Sequence, residues 1–179
     1  MEYPTVTVIQ QSNDPEFVEQ VTVHEVGHNW FYGILANNER TSPWLDESIN
    51  SFYERKTVMP SMSRANGMMN VLEQATLQAY EHYHSLQPLC SHSAHFTNMN
   101  YGLDLYQKGP DYIAYLEAYM GADAFKKGMR HYFTQNKFKH VDAAKLKTAL
   151  AAYTDKNLDW FFNDLVQKEE TVNFAVEKT

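Results

Sequence analysis

The chain has 179 residues, 44% of them apolar and 14% aromatic, with a single cysteine and a formal charge of −7 at neutral pH. That length and apolar content suffice for one domain with a substantial core, while the acidic balance and the absence of Lys/Arg runs argue against nucleic acid and anionic membrane as partners. Cys90 is the lone cysteine, so no intrachain disulfide forms, and no apolar run approaches the roughly 18 residues of a membrane span; the compartment stays unassigned.

Tyr3-Pro4-Thr5-Val6-Thr7-Val8-Ile9 alternates and is rich in β-branched residues, so it reads as a strand. Helices are predicted over 15–35, 43–58, 63–85, 110–120, 122–136, 142–153 and 158–166, punctuated by Pro60, Pro88 and Gly121. The first has Asn13 or Asp14 to cap it, Pro15 in its first turn, and Phe17, Val18, Val21, Trp30 and Phe31 as apolar contacts. The second has Thr41 or Ser42 as cap and Pro43 at its first position. From Gln87 to Gly109 the chain is polar with little periodicity and reads as a long loop, in which His92 and His95, three apart, are read as solvated rather than as a separate metal pair. Residues 171–176 return to strand-like alternation. The expected fold is mainly α with a short N-terminal strand.

The chemistry lies in His24-Glu25-Val26-Gly27-His28, followed after 18 intervening positions by Glu47. On a helix, residues four apart share a face, so His24 and His28 can offer two imidazole nitrogens to one ion. Glu47 supplies a third protein ligand. Two His and one Glu leave the fourth tetrahedral position of Zn2+ open, the pattern of a catalytic rather than a structural site, with one Zn2+ per chain. Glu25, one step round the helix, reaches a water at the metal without being a ligand, as a general base does. Gly27 costs helix stability, about 1 kcal/mol relative to Ala, which suggests a close approach of backbone, metal or substrate. Glu54 either accepts the free ring N–H of a ligand histidine or pairs with Arg55 or Lys56 in solvent.

The run from His24 to Phe31, with Trp44-Leu45-Asp46-Glu47, resembles the catalytic core of the gluzincin aminopeptidases, the alanyl (membrane) aminopeptidase family that includes leukotriene hydrolase. Met1-Glu2-Tyr3-Pro4 resembles the second half of the family's G-[AG]-M-E-N motif, with Glu2 lying 22 residues before His24. That implies that Glu2 binds the substrate's free amino group. Tyr106-Gln107-Lys108-Gly109 resembles the Y-x-K-G segment, which implies that Tyr106 stabilises the oxyanion and gives the 87–109 stretch a function. Tyr101 is a reserve candidate for a polar contact there. Leu158-Asp159-Trp160-Phe161-Phe162 resembles the family's closing helix.

The resemblance implies the helical lobe of a thermolysin-like zinc metallopeptidase domain acting on peptides with a free N-terminus. Tyr3 replaces the motif's usual Asn, and Ser48-Ile49-Asn50 replaces the commoner Gly-Phe-Ala. The chain starts inside the motif, so the expectation is one truncated catalytic domain over 1–179. In it, 1–12 is a strand of an incomplete N-lobe and 167–179 an exit towards a C-terminal domain. Such a fragment would self-associate through its strand and show little activity alone. The alternatives are an inactive scaffold or interaction module, and an epoxide-type hydrolase on the same zinc site.

Overall fold

The structure, a computed structural model, describes residues 1–3, 5–58, 67–168, 170 and 172. It is mainly helical, as expected, with one two-stranded sheet among the described residues.

Helix α1 (Pro15–Gly27) starts where the Asp14 carboxylate accepts the N–H groups of Glu16 and Phe17, at 3.0 and 3.5 Å. It ends at Gly27 rather than at residue 35. From His28 onward the turns widen: Gly33, Ile34 and Leu35 donate to His28, Asn29 and Trp30, five residues back, at 2.9, 3.0 and 2.9 Å. Tyr32 adopts a φ of 100°, which no continuing helix tolerates. The chain is thereby turned into strand β1 (Leu35–Ala36), which pairs in parallel with β2 (Lys139–His140). The apolar residues at 30–35 carry a helical period, but tertiary pairing with a distant segment overrides it.

The strand expected over 3–9 is absent from its described residues. Val8 N–H instead donates to Met1 O at 3.0 Å and Val6 N–H to Tyr3 O at 2.9 Å, folding the segment back on itself. An exposed β-branched stretch with no neighbouring strand among the described residues places its backbone bonds locally or in water.

A short 3-10 turn, Pro43–Leu45, precedes α2 (Glu47–Val58) where one continuous helix was expected, and Ser42 makes no side-chain cap. Helix α2 packs against both α1 and the later α5 (Gly109–Met120). It buries Ile49, Phe52 and Val58, and also the polar Glu47, Ser48, Asn50, Ser51 and Glu54. Helix α3 (Gly67–His82) follows; the expected start at 63–66 lies outside the described residues.

The predicted loop over 87–109 is irregular as far as residue 97 apart from one short turn, and helical beyond it. It holds a 3-10 turn, Ser93–His95, a single turn α4 (Asn98–Asn100), and a π-helix, Tyr101–Lys108, that runs straight into α5. Helices α6 (Ala122–Asn136) and α7 (Ala143–Ala151) and a second π-helix, Trp160–Val166, complete the fold close to their predicted places. Of the expected terminal strand only Val172 is described, packed against the core; the rest lies outside the described residues. That core centres on Trp44, Ile49, Leu105, Leu116, Leu150 and Phe161, each at most 1% exposed.

Inside the first π-helix, Lys108 Nζ lies 2.5 Å from Asp104 Oδ1, with side chains 2% and 0% exposed. The pair clasps Gln87, whose O accepts from Lys108 Nζ and whose N–H donates to Asp104 Oδ2, both at 2.9 Å. Removing one member strands a buried charge, so Lys108→Met is expected to cost about 3–5 kcal/mol in chemical denaturation. Pairing it with Asp104→Leu should recover much of that loss. A loss below about 1 kcal/mol for Lys108→Met would mark the pair as an ordinary solvated one.

Candidate metal centre and active site

The last turn of α1 and the first of α2 cross so that His24, His28 and Glu47 converge, with one donor atom of each within 4.8 Å of the others. His24 Nε2 lies 3.0 Å from His28 Nε2 and 3.2 Å from Glu47 Oε2, and His28 Nε2 lies 3.5 Å from the same oxygen. A tetrahedral ion with bonds of about 2.0–2.1 Å holds its ligand atoms about 3.3 Å apart, so this spacing fits Zn2+.

The outer hydrogen bonds support the same fit. His28 Nδ1 faces Phe31 O at 3.2 Å, and His24 Nδ1 faces Glu54 Oε2 at 2.8 Å. Both partners only accept, so both Nδ1 atoms carry hydrogen and both Nε2 atoms turn lone pairs towards each other and towards a carboxylate. Three electron-pair donors so arranged require positive charge among them. Without an ion a proton serves. Burial opposes a charged His24, but hydrogen bonds to Glu47 and Glu54 raise its pKa from 6.5 to about 9. Burial likewise opposes a charged Glu47, yet bonds from His24 and His28 bring it from 4.5 to about 2.

Of the two roles open to Glu54, the structure shows the one at His24; its other oxygen accepts from Gln20 Nε2 at 2.7 Å. Gly27 is required for a reason different from the one expected. A Cβ there would lie 2.0 Å from Asn50 Oδ1, and Asn50 Nδ2 donates to His24 O at 2.7 Å. The close approach is a side chain of α2 that ties the ligand helix down.

Tyr106 Oη donates to Glu47 Oε1 at 2.6 Å, and Tyr101 Oη lies 3.5 Å from the same oxygen. On an α-helix residues five apart diverge by about 140°. The π-helix, bonding to the fifth residue, brings them onto one face, with ring centroids 6.0 Å apart. Five-residue spacing was therefore the signal for Tyr101, legible only once the π-helix is known. Burial first, then the charge and hydrogen bond of Glu47, push the Tyr106 phenol far above its usual range, so it keeps its proton and donates.

Glu25 and Glu2 gather at His28 as well, one donor atom from each of the three falling within 4.8 Å of the others. Glu25 Oε2 and Glu2 Oε2 lie 2.5 and 3.7 Å from the Met1 nitrogen. These groups line a cleft of about 360 Å3 with Tyr3, Asn29 and Tyr32. Asp46, 1% exposed, has its pKa raised to about 9 by burial and by the charges of Glu47, Glu39 and Glu2. It holds a proton beside the ligand set, a feature no spacing rule announces.

Residues 5–165 match the profile described as the Peptidase family M1 domain; the match begins after Glu2. Leucine aminopeptidase 2 of Aspergillus niger is 26% identical over 169 residues, covering 86% of this chain and 26% of its own. Aminopeptidase N of Lactococcus lactis is 24% identical over 157 residues, covering 84% and 18%, and a probable aminopeptidase 1 of Saccharolobus solfataricus is 22% identical over 160 residues, covering 84% and 20%. The chain thus spans about a quarter or less of the length of these curated relatives.

The metal-free chain should respond to pH in a defined way. His24, raised from 6.5 to about 9, holds a proton that the unfolded chain releases, so its contribution is full below 6.5 and lost as pH rises through 9. Asp46, raised from 3.8 to about 9, acts in the same direction across its wider window, whereas Glu47's contribution is full above 4.5 and lost towards pH 2. Denaturant stability should therefore fall between pH 6.5 and 9, less steeply in His24→Gln and in Asp46→Asn. Metal loading should remove the His24 part of the slope; an unchanged slope would refute the assigned protons.

Proposed function

The chain belongs to peptidase family M1, and we propose that it carries the catalytic centre of a zinc-dependent aminopeptidase that removes N-terminal residues from peptides. The observation that carries this reading is the convergence of His24, His28 and Glu47 at tetrahedral spacing, with Glu25 near His28 and Tyr106 bonded to Glu47. The aminopeptidase names of its relatives agree with it.

His24, His28 and Glu47 would hold the zinc, and Glu54 would fix the tautomer and orientation of the His24 ring. Zinc bound there supplies Lewis acidity that polarises the scissile carbonyl and makes water acidic enough to be deprotonated near neutral pH. Glu25 takes the proton of the attacking water and hands it to the leaving amine. The Tyr106 hydroxyl, held in reserve on Glu47, turns its hydrogen to the carbonyl oxygen as negative charge develops. Glu2 receives the substrate's α-ammonium and so restricts cleavage to the chain end. The substrate is a peptide with a free N-terminus. The chain is read as the helical part of the catalytic domain, and among its described residues no helix is long and apolar enough to cross a membrane.

Chelator-treated chain reconstituted with Zn2+ should retain about one ion, by elemental analysis, if the two-histidine set of His24, His28 and Glu47 holds it as proposed. His24→Ala and His28→Ala should abolish this and Glu25→Gln should not. Zinc content that ignores both histidines would end the metal assignment.

In the enzyme, Glu25→Gln and Tyr106→Phe should each lower turnover of an aminoacyl anilide by about 100-fold or more with zinc in place, since each acts only on the transition state. Turnover by Tyr106→Phe equal to the parent's would remove the oxyanion role.

A further inference from the structure

Glu47 holds Tyr106 by its phenol, but a hydroxyl is only as well placed as the backbone behind it. That backbone is π-helical, and its carbonyls are gripped from α2. Ser48 Oγ donates to Leu105 O at 2.8 Å. Arg55 Nη2 lies 2.7 Å from Tyr106 O, 2.7 Å from Gln107 Oε1 and 3.4 Å from Gln107 O, and Arg55 Nη1 donates to Asp111 Oδ1 at 2.8 Å. Three of these four contacts go to Tyr106 and its neighbour, so the Asp111 ion pair does not account for the guanidinium's placement. Arg55 follows Glu47 by two turns on the same helix. One rigid element therefore grips Tyr106 at both ends, the phenol through Glu47 and the peptide carbonyl through Arg55.

We propose that Arg55 is a positioning residue for Tyr106: its guanidinium fixes the π-helical backbone at 106–107 and so sets where the phenol points relative to the metal ligands. A planar fork can serve acceptors on two residues and an acid at once; a lysine ammonium, a single point on a differently shaped stem, cannot. The consequence for turnover rests on the aminopeptidase reading, whereas the consequence for the hydroxyl does not.

The hydroxyl proton of Tyr106, in its 2.6 Å bond to Glu47, is sought as a downfield proton resonance of the chain and assigned by its loss in Tyr106→Phe. Arg55→Lys should shift or broaden it and Asp111→Asn should not. Gln107→Ala, which removes one acceptor and no charge, should displace it less and keeps the test decisive if Arg55→Lys does not fold. In the enzyme, Arg55→Lys should lower kcat by about 10- to 100-fold, the scale of a misplaced catalytic group. KM and zinc content should hold, and no further loss should appear in a Tyr106→Phe background. A resonance unmoved by both Arg55→Lys and Gln107→Ala, or losses that simply multiply with Tyr106→Phe, would overturn the proposal. An enzyme without zinc-dependent aminopeptidase activity would overturn the function proposed above instead, leaving the resonance to decide Arg55.

Discussion

Two imidazole nitrogens 3.0 Å apart, both presenting lone pairs and both beside a carboxylate, cannot coexist without positive charge between them. That requirement organises the site. It calls for acceptors on the outer ring nitrogens, which Glu54 and Phe31 O supply. It also draws charge into a buried place where an unpaired carboxylate would be costly, which is why Glu47 remains ionised although it is buried.

Helix α2 is the element on which these demands meet. An ordinary buried helix would be apolar on its inner faces, but this one buries five polar side chains, and four of them have identifiable partners at the site. Glu47 meets the ligand histidines, Glu54 orients one of their rings, Asn50 holds the His24 carbonyl, and Ser48 holds Leu105. Ser48 and Asn50 are two of the positions at which the sequence departs from the family pattern, beside Ile49 and Tyr3. Each sits against a glycine: Ser48 Oγ lies 2.2 Å, and Asn50 Oδ1 2.0 Å, from where a Cβ on Gly109 or Gly27 would stand. The departures are thus paired with local space and do not disturb the ligand geometry.

The sequence exposes what is local. The four-residue step from His24 to His28, the helices near 110–120 and 122–136, and the cap at Asp14 all depend on neighbours within a few turns, so periodicity and capping chemistry reveal them. Tyr32 and Phe31 lie in an apolar run that reads as helix, because nothing nearby announces that Leu35 will pair with Lys139. Val6 and Val8 read as strand for the converse reason, since β-branching states a preference but not a partner. The 87–109 segment shows no period because its first part is irregular and the π-helix at 101–108, which carries Tyr101 and Tyr106, follows neither 3.6 nor 2. The role of Glu54 depended on how α1 crosses α2, which no motif encodes.

The separations along the chain also bear on the order of assembly. His24 and Glu47 are 23 residues apart, Glu47 and Tyr106 are 59 apart, and β1 must wait for β2 near the far end. Loop-closure entropy rises with the logarithm of length, so gathering the ligands costs about 0.8 kcal/mol less than adding Tyr106. During synthesis the whole donor set is available before the tyrosine exists. With the ion held by this set as proposed, its capture would close the shorter loop, and Tyr106 would join over the longer one.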